Sequence, residues 1–450
     1  MGNNYFDIRG VVEGFYGFFY TPMERMNLIQ FLGKTGYNAY FYAPKNDRYH
    51  RIRWREPYPI KDIEIFEKTI LVAKQNRIKF CYCISPGTSI CYSSERDFEF
   101  IAEKFLAFYK LGVRDFSLLL DDITPEFSFE EDYLRYPSYA DAHADLCNRV
   151  FTWLKKLDNE VQLSMCPTDY AGSEPFSPYI FELGQKLHLD IMIMYTGTQV
   201  CSKEISAVDA RRFGEAIARK PLIWDNYPVN DGGMDVEIHI GPIRGRSDDL
   251  YRHVAGILVN PMNQAESSKV ALATYGNYFV NPMEYDPDVA WQSALMDVAG
   301  TDFAEDLQLI AENALRSCLG TPEAKKLEQL TKNAILSIQN GSSALTDPDV
   351  IALEQYLDRI ADASYRIVND CPNTALRNEL LPWLEKLENW VSIGKNTILA
   401  LRVEENGSDH QKILPEIHYT LKAIHKNSKR IMGESLLPFS ELVLDKYETR

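Results

Sequence analysis

Short apolar runs alternate with amphipathic stretches over the first two-thirds of the chain, and then the short runs stop. Between residue 8 and about residue 280 the runs read IRGVVEG, AYFYAP, KFCYCISP, DFSLLLDD, QLSMCPTDY, DIMIMYTG, PLIWDN and AGILVNP. Each is rich in aliphatic and aromatic residues on both faces of the pleat, the pattern of parallel strands covered by helices. Between them lie stretches with apolar residues at helical spacing, such as PMERMNLIQFLGKTG, DIEIFEKTILVAKQN and RDFEFIAEKFLAFYKLG. The first opens on Thr21-Pro22, a capping residue followed by proline at the first helical position. A strand-then-helix unit repeated eight times predicts an α/β fold, the (β/α)8 TIM barrel. An open doubly wound sheet is the rival, but Gly10, Gly14 and Gly17 lack the GxGxxG spacing sought after its first strand.

Beyond residue 300 only helical periodicity remains, as in AEDLQLIAENALRSCLG, ALEQYLDRIADASYRIV and NELLPWLEKLENWVSIGKNTILALRV. Gly320 to Pro322, Gly341 and Asp347-Pro348 punctuate these stretches. The expected organisation is therefore a barrel domain over residues 1–300 and an all-α helical bundle domain of about five helices over residues 301–450. The segment FVNPMEYDPDVAWQSAL is read as the hinge.

Composition narrows the class. Of 450 residues 45% are hydrophobic and 25% charged, a globular profile, and the formal charge of −16 argues against a non-specific nucleic-acid binder. No apolar run approaches the ~18 residues needed to span a bilayer. MGNNYFDIRG lacks the order of a secretory signal, and Phe6 stands where a myristoylation site needs Ser or Thr. Neither export nor a membrane anchor is expected. Eight scattered cysteines are read as reduced thiols, which suits a cytoplasmic protein. Cys81 and Cys83 alternate along one strand and face the same side without being natural bridge partners.

Active sites of TIM barrels lie at the C-terminal ends of the strands. Here those ends read Glu13-Gly14-Phe15-Tyr16-Gly17, Ala43-Pro44-Lys45-Asn46-Asp47, Asp121-Asp122, Pro167-Thr168-Asp169-Tyr170, Tyr195-Thr196-Gly197, Trp224-Asp225-Asn226 and Asn260-Pro261. Polar side chains on nearly every end point to a ligand rich in hydroxyls or amides. The strongest feature is Asp121-Asp122, directly after a buried strand. Adjacent, partly desolvated acids repel, which is expected to raise at least one pKa. A metal site is the other reading of paired acids, but the eight histidines form no HxH or HExxH pattern, and neither metal nor cofactor is expected. Successive residues of a strand project differently, so these acids do not readily flank one bond from opposite faces, as two carboxyls about 5 Å apart do in ordinary retaining glycosidases. They fit a division of labour in which one handles a leaving-group oxygen and the other orients a nucleophile belonging to the substrate, such as a 2-acetamido carbonyl.

Seven blocks in order, GVVEGFYG (10–17), YAPKND (42–47), LLLDDI (118–123), CPTDY (166–170), WDN-x4-D (224–231), GPIRGRS (241–247) and LVNP (258–261), resemble glycoside hydrolase family 84, the family of O-GlcNAcase and related bacterial β-N-acetylglucosaminidases. The resemblance covers roughly residues 8 to 290. It implies a retaining exo-β-N-acetylglucosaminidase acting through an oxazoline. Asp121 would orient the acetamido group, and Asp122 would be general acid and then general base. By the same resemblance Tyr170 and Asn226 would hold the acetamido group and the oxazoline oxygen. Gly14, Lys45, Asp231 and Asn260 would bind sugar hydroxyls, with Trp224 and Tyr16 as pocket walls. Each has a plainer reading: a solvated lysine for Lys45, turn residues for Asn226 and Asn260, core for Trp224. Cys166 fits packing or the acetamido pocket equally. The strand-five block has Asp169 where some relatives have glutamate. The chain starts at the barrel and ends after the helices, resembling a minimal form of the family.

The substrate implied is a GlcNAc-bearing glycoprotein or glycoside, with O-GlcNAc on serine or threonine favoured by the cytoplasmic reading. The alternative from another class is a non-catalytic GlcNAc-binding protein that uses its helical domain for partner contacts; a binding protein needs no general acid, so the Asp121-Asp122 pair argues against it. The helical domain is open to three roles: completing the cleft, forming a homodimer, or covering the barrel. Trp383 and Trp390 are read as its core, with an interface as the other reading.

Overall fold

The computed structural model describes residues 5–408 and 413–448. Contacts divide the chain into two units, Met1–Gly232 with Pro242–Ala290, and Gly233–Gly241 with Trp291–Arg450. All eight apolar runs of the first unit are strands: β1 (Ile8–Glu13), β2 (Ala39–Tyr42), β3 (Lys79–Ile84), β4 (Asp115–Leu119), β5 (Gln162–Cys166), β6 (Met192–Tyr195), β7 (Leu222–Asp225) and β8 (Gly256–Val259). They pair in parallel in chain order, and β8 closes on β1, giving the TIM barrel. The registers Glu13↔Tyr42, Leu119↔Cys166 and Asp225↔Val259 bring the C-terminal ends of neighbouring strands to one rim.

The helices of this unit are α1 (Pro22–Lys34), α2 (Ile60–Gln75), α3 (Glu95–Lys110), α4 (Glu130–Arg135), α5 (Tyr139–Leu157), α6 (Pro178–Lys186), α7 (Ala207–Ala216) and α8 (Ala265–Val280). Their starts are set by local chemistry. Thr21 and Glu24 form a reciprocal capping box on α1, and Ser94, Ser138, Ser177 and Ser206 each accept a first-turn N–H of the helix that follows. The barrel interior is filled by Val12, Phe41, Cys81, Cys83, Leu119, Cys166, Met194, Leu222, Trp224 and Leu258. Cys81 and Cys83 do face one side, both into this core, and both thiols are free.

α9 (Pro287–Ala299) spans the division between the units. It is followed by α10 (Ala304–Glu312), α11 (Lys325–Gln339), α12 (Pro348–Asn369), α13 (Thr374–Glu405), α14 (Leu414–Lys426) and α15 (Leu437–Glu448). Six α-helices thus follow residue 300 among the described residues, where about five were expected; α13 runs through Pro382 without ending. Asp347 caps α12 with Pro348 in its first turn, at one of the punctuating positions of the sequence. Trp383 and Trp390 are buried in this unit, and the Trp383 indole N–H donates to the Val236 carbonyl at 2.9 Å. Among the described residues no helix is long and apolar enough to cross a membrane.

Candidate active site

The β4 ladder continues one residue past the strand, where the Leu120 N–H donates to the Cys166 carbonyl at 2.9 Å. Asp121 and Asp122 come next, and both line a cavity of about 190 Å³. Two successive residues share one cavity because Asp122 adopts φ +55°, in the left-handed region, which turns the chain between the two side chains. Aspartate tolerates that region better than most residues, and such strain gathers at functional sites.

Lys45, carried in by Ala43-Pro44 at the end of β2, organises the pair. Its buried ammonium bonds Asp121 Oδ2 and stands 3.9 Å from Asp122 Oδ2. Burial disfavours the charged ammonium, but the two carboxylates more than offset that and raise its pKa. Asp121 Oδ1 is buried and has no hydrogen-bond partner among the described residues. Since nearly every buried polar atom is satisfied in a folded protein, a buried acceptor left open at a cavity is a place for a donor from a ligand.

Asp122 differs. It is partly exposed, and its oxygens accept from the Tyr16 and Tyr170 hydroxyls, each at 2.7 Å. Burial pushes its pKa up, but Lys45 and the two hydroxyl donors outweigh this, and the net direction is downward. The upward displacement expected from mutual repulsion is therefore not found at Asp122. The ammonium between the carboxylates, which adjacent sequence positions could not reveal, reverses the sign.

The rest of the cavity wall is equally determined. The Tyr16 N–H donates to Asp231 Oδ2 at 2.7 Å, fixing the loop after β1 to the loop after β7, and burial raises the Asp231 pKa. A Cβ on Gly14 would lie 2.3 Å from Trp224 Cζ2, so only glycine lets the indole close that side. The Trp224 indole N–H and the Asn260 amide both donate to Asn226 Oδ1 at 2.8 Å, while Asn226 donates to the Val200 carbonyl and Asn260 Oδ1 accepts the Gly14 N–H. Trp224 is both core and wall, and so is Cys166.

Asp121, Asp122, Gly14, Tyr16, Lys45, Tyr170, Trp224, Asn226, Asp231 and Asn260 all line this one cavity. Four other strand-end acids, Glu13, Asp47, Asp169 and Asp225, do not. Glu13 is held by Arg25, Asp47 accepts the Tyr42 and Tyr58 hydroxyls, and Asp169 accepts the Ser177 hydroxyl. The GPIRGRS block is scaffolding at this rim, with Arg246 gripping Asp225 at the end of β7. Thr196, Val200, Cys201 and Val229 complete the lining and were not picked out from sequence. Thr196 stood among the strand ends, but the loop positions of the others carry no motif. Among the described residues no group of three or more His, Cys, Asp or Glu is arranged to hold a metal ion.

A family model described as β-N-acetylglucosaminidase matches residues 9–312, which include every residue of the cavity. The chain belongs to the β-N-acetylglucosaminidase family. Within it, the Protein O-GlcNAcase of Rattus norvegicus and that of Mus musculus are each 34% identical over 279 residues, 61% of this chain and 30% of theirs. The chain thus aligns with less than a third of those relatives' length. A mutant of the O-GlcNAc hydrolase of Thermobaculum terrenum superposes with a TM-score of 0.91 at 31% identity, over 99% of this chain and 96% of that one. The resemblance to glycoside hydrolase family 84 is thereby shown, and the barrel is that of a glycoside hydrolase family member.

Proposed function

We propose that this family member is a retaining exo-β-N-acetylglucosaminidase that releases terminal β-linked GlcNAc by substrate-assisted catalysis, with O-GlcNAc on serine or threonine of cytoplasmic proteins as its substrate. The observation that carries the reading is the open, buried Asp121 Oδ1 beside a cavity sized for one sugar. The acetamido N–H of GlcNAc supplies the donor that this oxygen lacks. Held there, the amide carbonyl oxygen attacks C1, the glycosidic bond breaks, and a protonated oxazoline forms whose N–H stays bonded to Asp121; Asp122 gives its proton to the departing oxygen. Asp122 then takes a proton from the water that opens the oxazoline at C1, so two inversions give net retention.

Lys45 bonds Asp121 and also reaches a sugar hydroxyl, and Asp231, Asn260 and the Gly14 carbonyl bind further hydroxyls. Tyr170 and Asn226 hold the acetamido group and the oxazoline oxygen, and Trp224 and Tyr16 bound the ring. The downward shift at Asp122 belongs to the ligand-free arrangement. A sugar that draws the Tyr170 hydroxyl to its acetamido group and excludes water removes part of what favours the carboxylate. Burial, the largest influence, then works for the protonated form.

Turnover of 4-methylumbelliferyl N-acetyl-β-glucosaminide tests this reading, with potent inhibition by a thiazoline mimic of the oxazoline as the second expected result. Sugar binding without turnover by the unmodified protein would leave only a GlcNAc-binding role.

A further inference from the structure

The β2–α2 loop places a second cation, Arg51, at the cavity rim. Arg51 Nη1 donates to the Tyr16 hydroxyl at 3.0 Å, and that hydroxyl donates in turn to Asp122 Oδ2 at 2.7 Å. The Arg51 guanidinium carbon lies 5.5 Å from the Tyr16 ring centroid and Lys45 Nζ lies 5.9 Å from it, so the ring is held by two cations. Its backbone N–H is pinned by Asp231. A phenol hydroxyl free to rotate has no fixed direction; one that accepts from a guanidinium can only send its own proton the other way, to Asp122.

We propose that Arg51 is a positioning residue for the reaction, orienting and polarising the Tyr16 hydroxyl so that it stabilises the charge appearing on Asp122 as the proton leaves for the glycosidic oxygen. The inference rests on the assignment of Asp122 as general acid. The groups facing Asp122 are Lys45 and Arg51 from the β2–α2 loop, Tyr16 after β1, Tyr170 after β5, Asp231 after β7 and its neighbour Asp121. Arg51 alone among these cations reaches it through a hydroxyl. Stabilising the carboxylate speeds proton donation and also lowers the pH at which Asp122 loses its proton. The sign is therefore fixed: removing the guanidinium raises the proton affinity of Asp122 and moves the alkaline limb of the kcat profile upward.

The test compares Arg51→Met, Arg51→Lys, Tyr16→Phe and the double variant R51M with Y16F. R51M should move the alkaline limb up by about half a pH unit, a modest figure for a cation at a solvated rim. It should slow poor leaving groups about tenfold and activated aryl groups little. R51K should recover part of the limb shift. In the Y16F background R51M should add almost nothing, because the hydroxyl that transmits its effect is gone. An unmoved limb, or an equal shift with and without the Tyr16 hydroxyl, would overturn the proposal. A carbon-13 titration of labelled Asp122 in the ligand-free protein reads the same displacement without turnover, so failure of this inference is distinguishable from failure of the assigned reaction.

Discussion

Two buried acid–base pairs sit at the same rim of the barrel. At the end of β1, Glu13 meets Arg25; after β4, Asp121 meets Lys45. Both carboxylates are almost wholly out of water. Glu13 spends all of its acceptor capacity on the protein, taking the two Arg25 donors, the Tyr20 N–H and the Tyr40 hydroxyl. Asp121 gives one oxygen to Lys45 and leaves the other with no partner among the described residues. Burial and charge pairing are common to both, so neither marks a functional acid. What separates them is saturation: the filled pair ties a strand end to its helix, and the unfilled one is open to a ligand.

The comparison breaks most visibly at the acid beside the open pair. Asp122→Ala should lower kcat/KM about 10³-fold for poorly activated glycosides and far less for 4-nitrophenyl or methylumbelliferyl leaving groups. Equal slowing across a leaving-group series would contradict its role. Asp121→Asn should cost about 10²- to 10³-fold whatever the leaving group, since the loss is in orienting the acetamide rather than in protonation. It should lower the denaturant midpoint less than a break in the Glu13 pair, because Lys45 keeps Asp122 at 3.9 Å as a counter-charge.

Glu13→Gln should show the reverse partition. Breaking a saturated buried pair strands the Arg25 charge and should cost about 3–5 kcal/mol in urea unfolding. Any loss of activity should follow from the destabilised fold, and a stable but inactive E13Q protein would make Glu13 a functional acid like Asp121.

A smaller effect comes from His50, buried close enough to Lys45 and Asp121 to feel their charges. Burial pulls its pKa down to about 4 from an ordinary 6.5, and its Nδ1 meets the Cys83 carbonyl at 2.8 Å. The folded state thus keeps it neutral where the unfolded chain would protonate it. Its contribution is fully present above pH 6.5 and is lost as pH falls from there toward 4, by roughly 3 kcal/mol at the end of that window. Unfolding free energies at pH 7 and pH 4.5 measure this, and His50→Gln should flatten the difference; an undiminished slope in that variant would place the sensitivity elsewhere.

How much of this could be seen along the chain follows the same division. The eight strands were legible because each is a short apolar run bounded by a turn, and Thr21 was legible because capping is local. The cavity's polar residues were legible as strand-end side chains in a barrel, which the topology must bring to one rim. Saturation was not legible. Nothing at Glu13 announces that Arg25 and Tyr40 will fill it, and nothing at Asp121 announces that one oxygen will be left over, because the deciding partners are contacts made in space. The rise expected for at least one of the paired acids is not found at Asp122 for that reason, with Lys45 lying 77 residues away in sequence. Val200 and Cys201 escaped notice because a loop that reaches over a rim carries no periodicity.

A series of 4-methylumbelliferyl glucosaminides whose N-acetyl group carries zero to three fluorines tests most directly whether Asp121 positions the substrate's own amide as nucleophile. The account predicts that log kcat/KM falls steeply and steadily with each fluorine, as electron withdrawal weakens the carbonyl oxygen, and that no sugar ester can be trapped on the protein. A flat series together with a covalent glycosyl-aspartate in the quenched enzyme would contradict it.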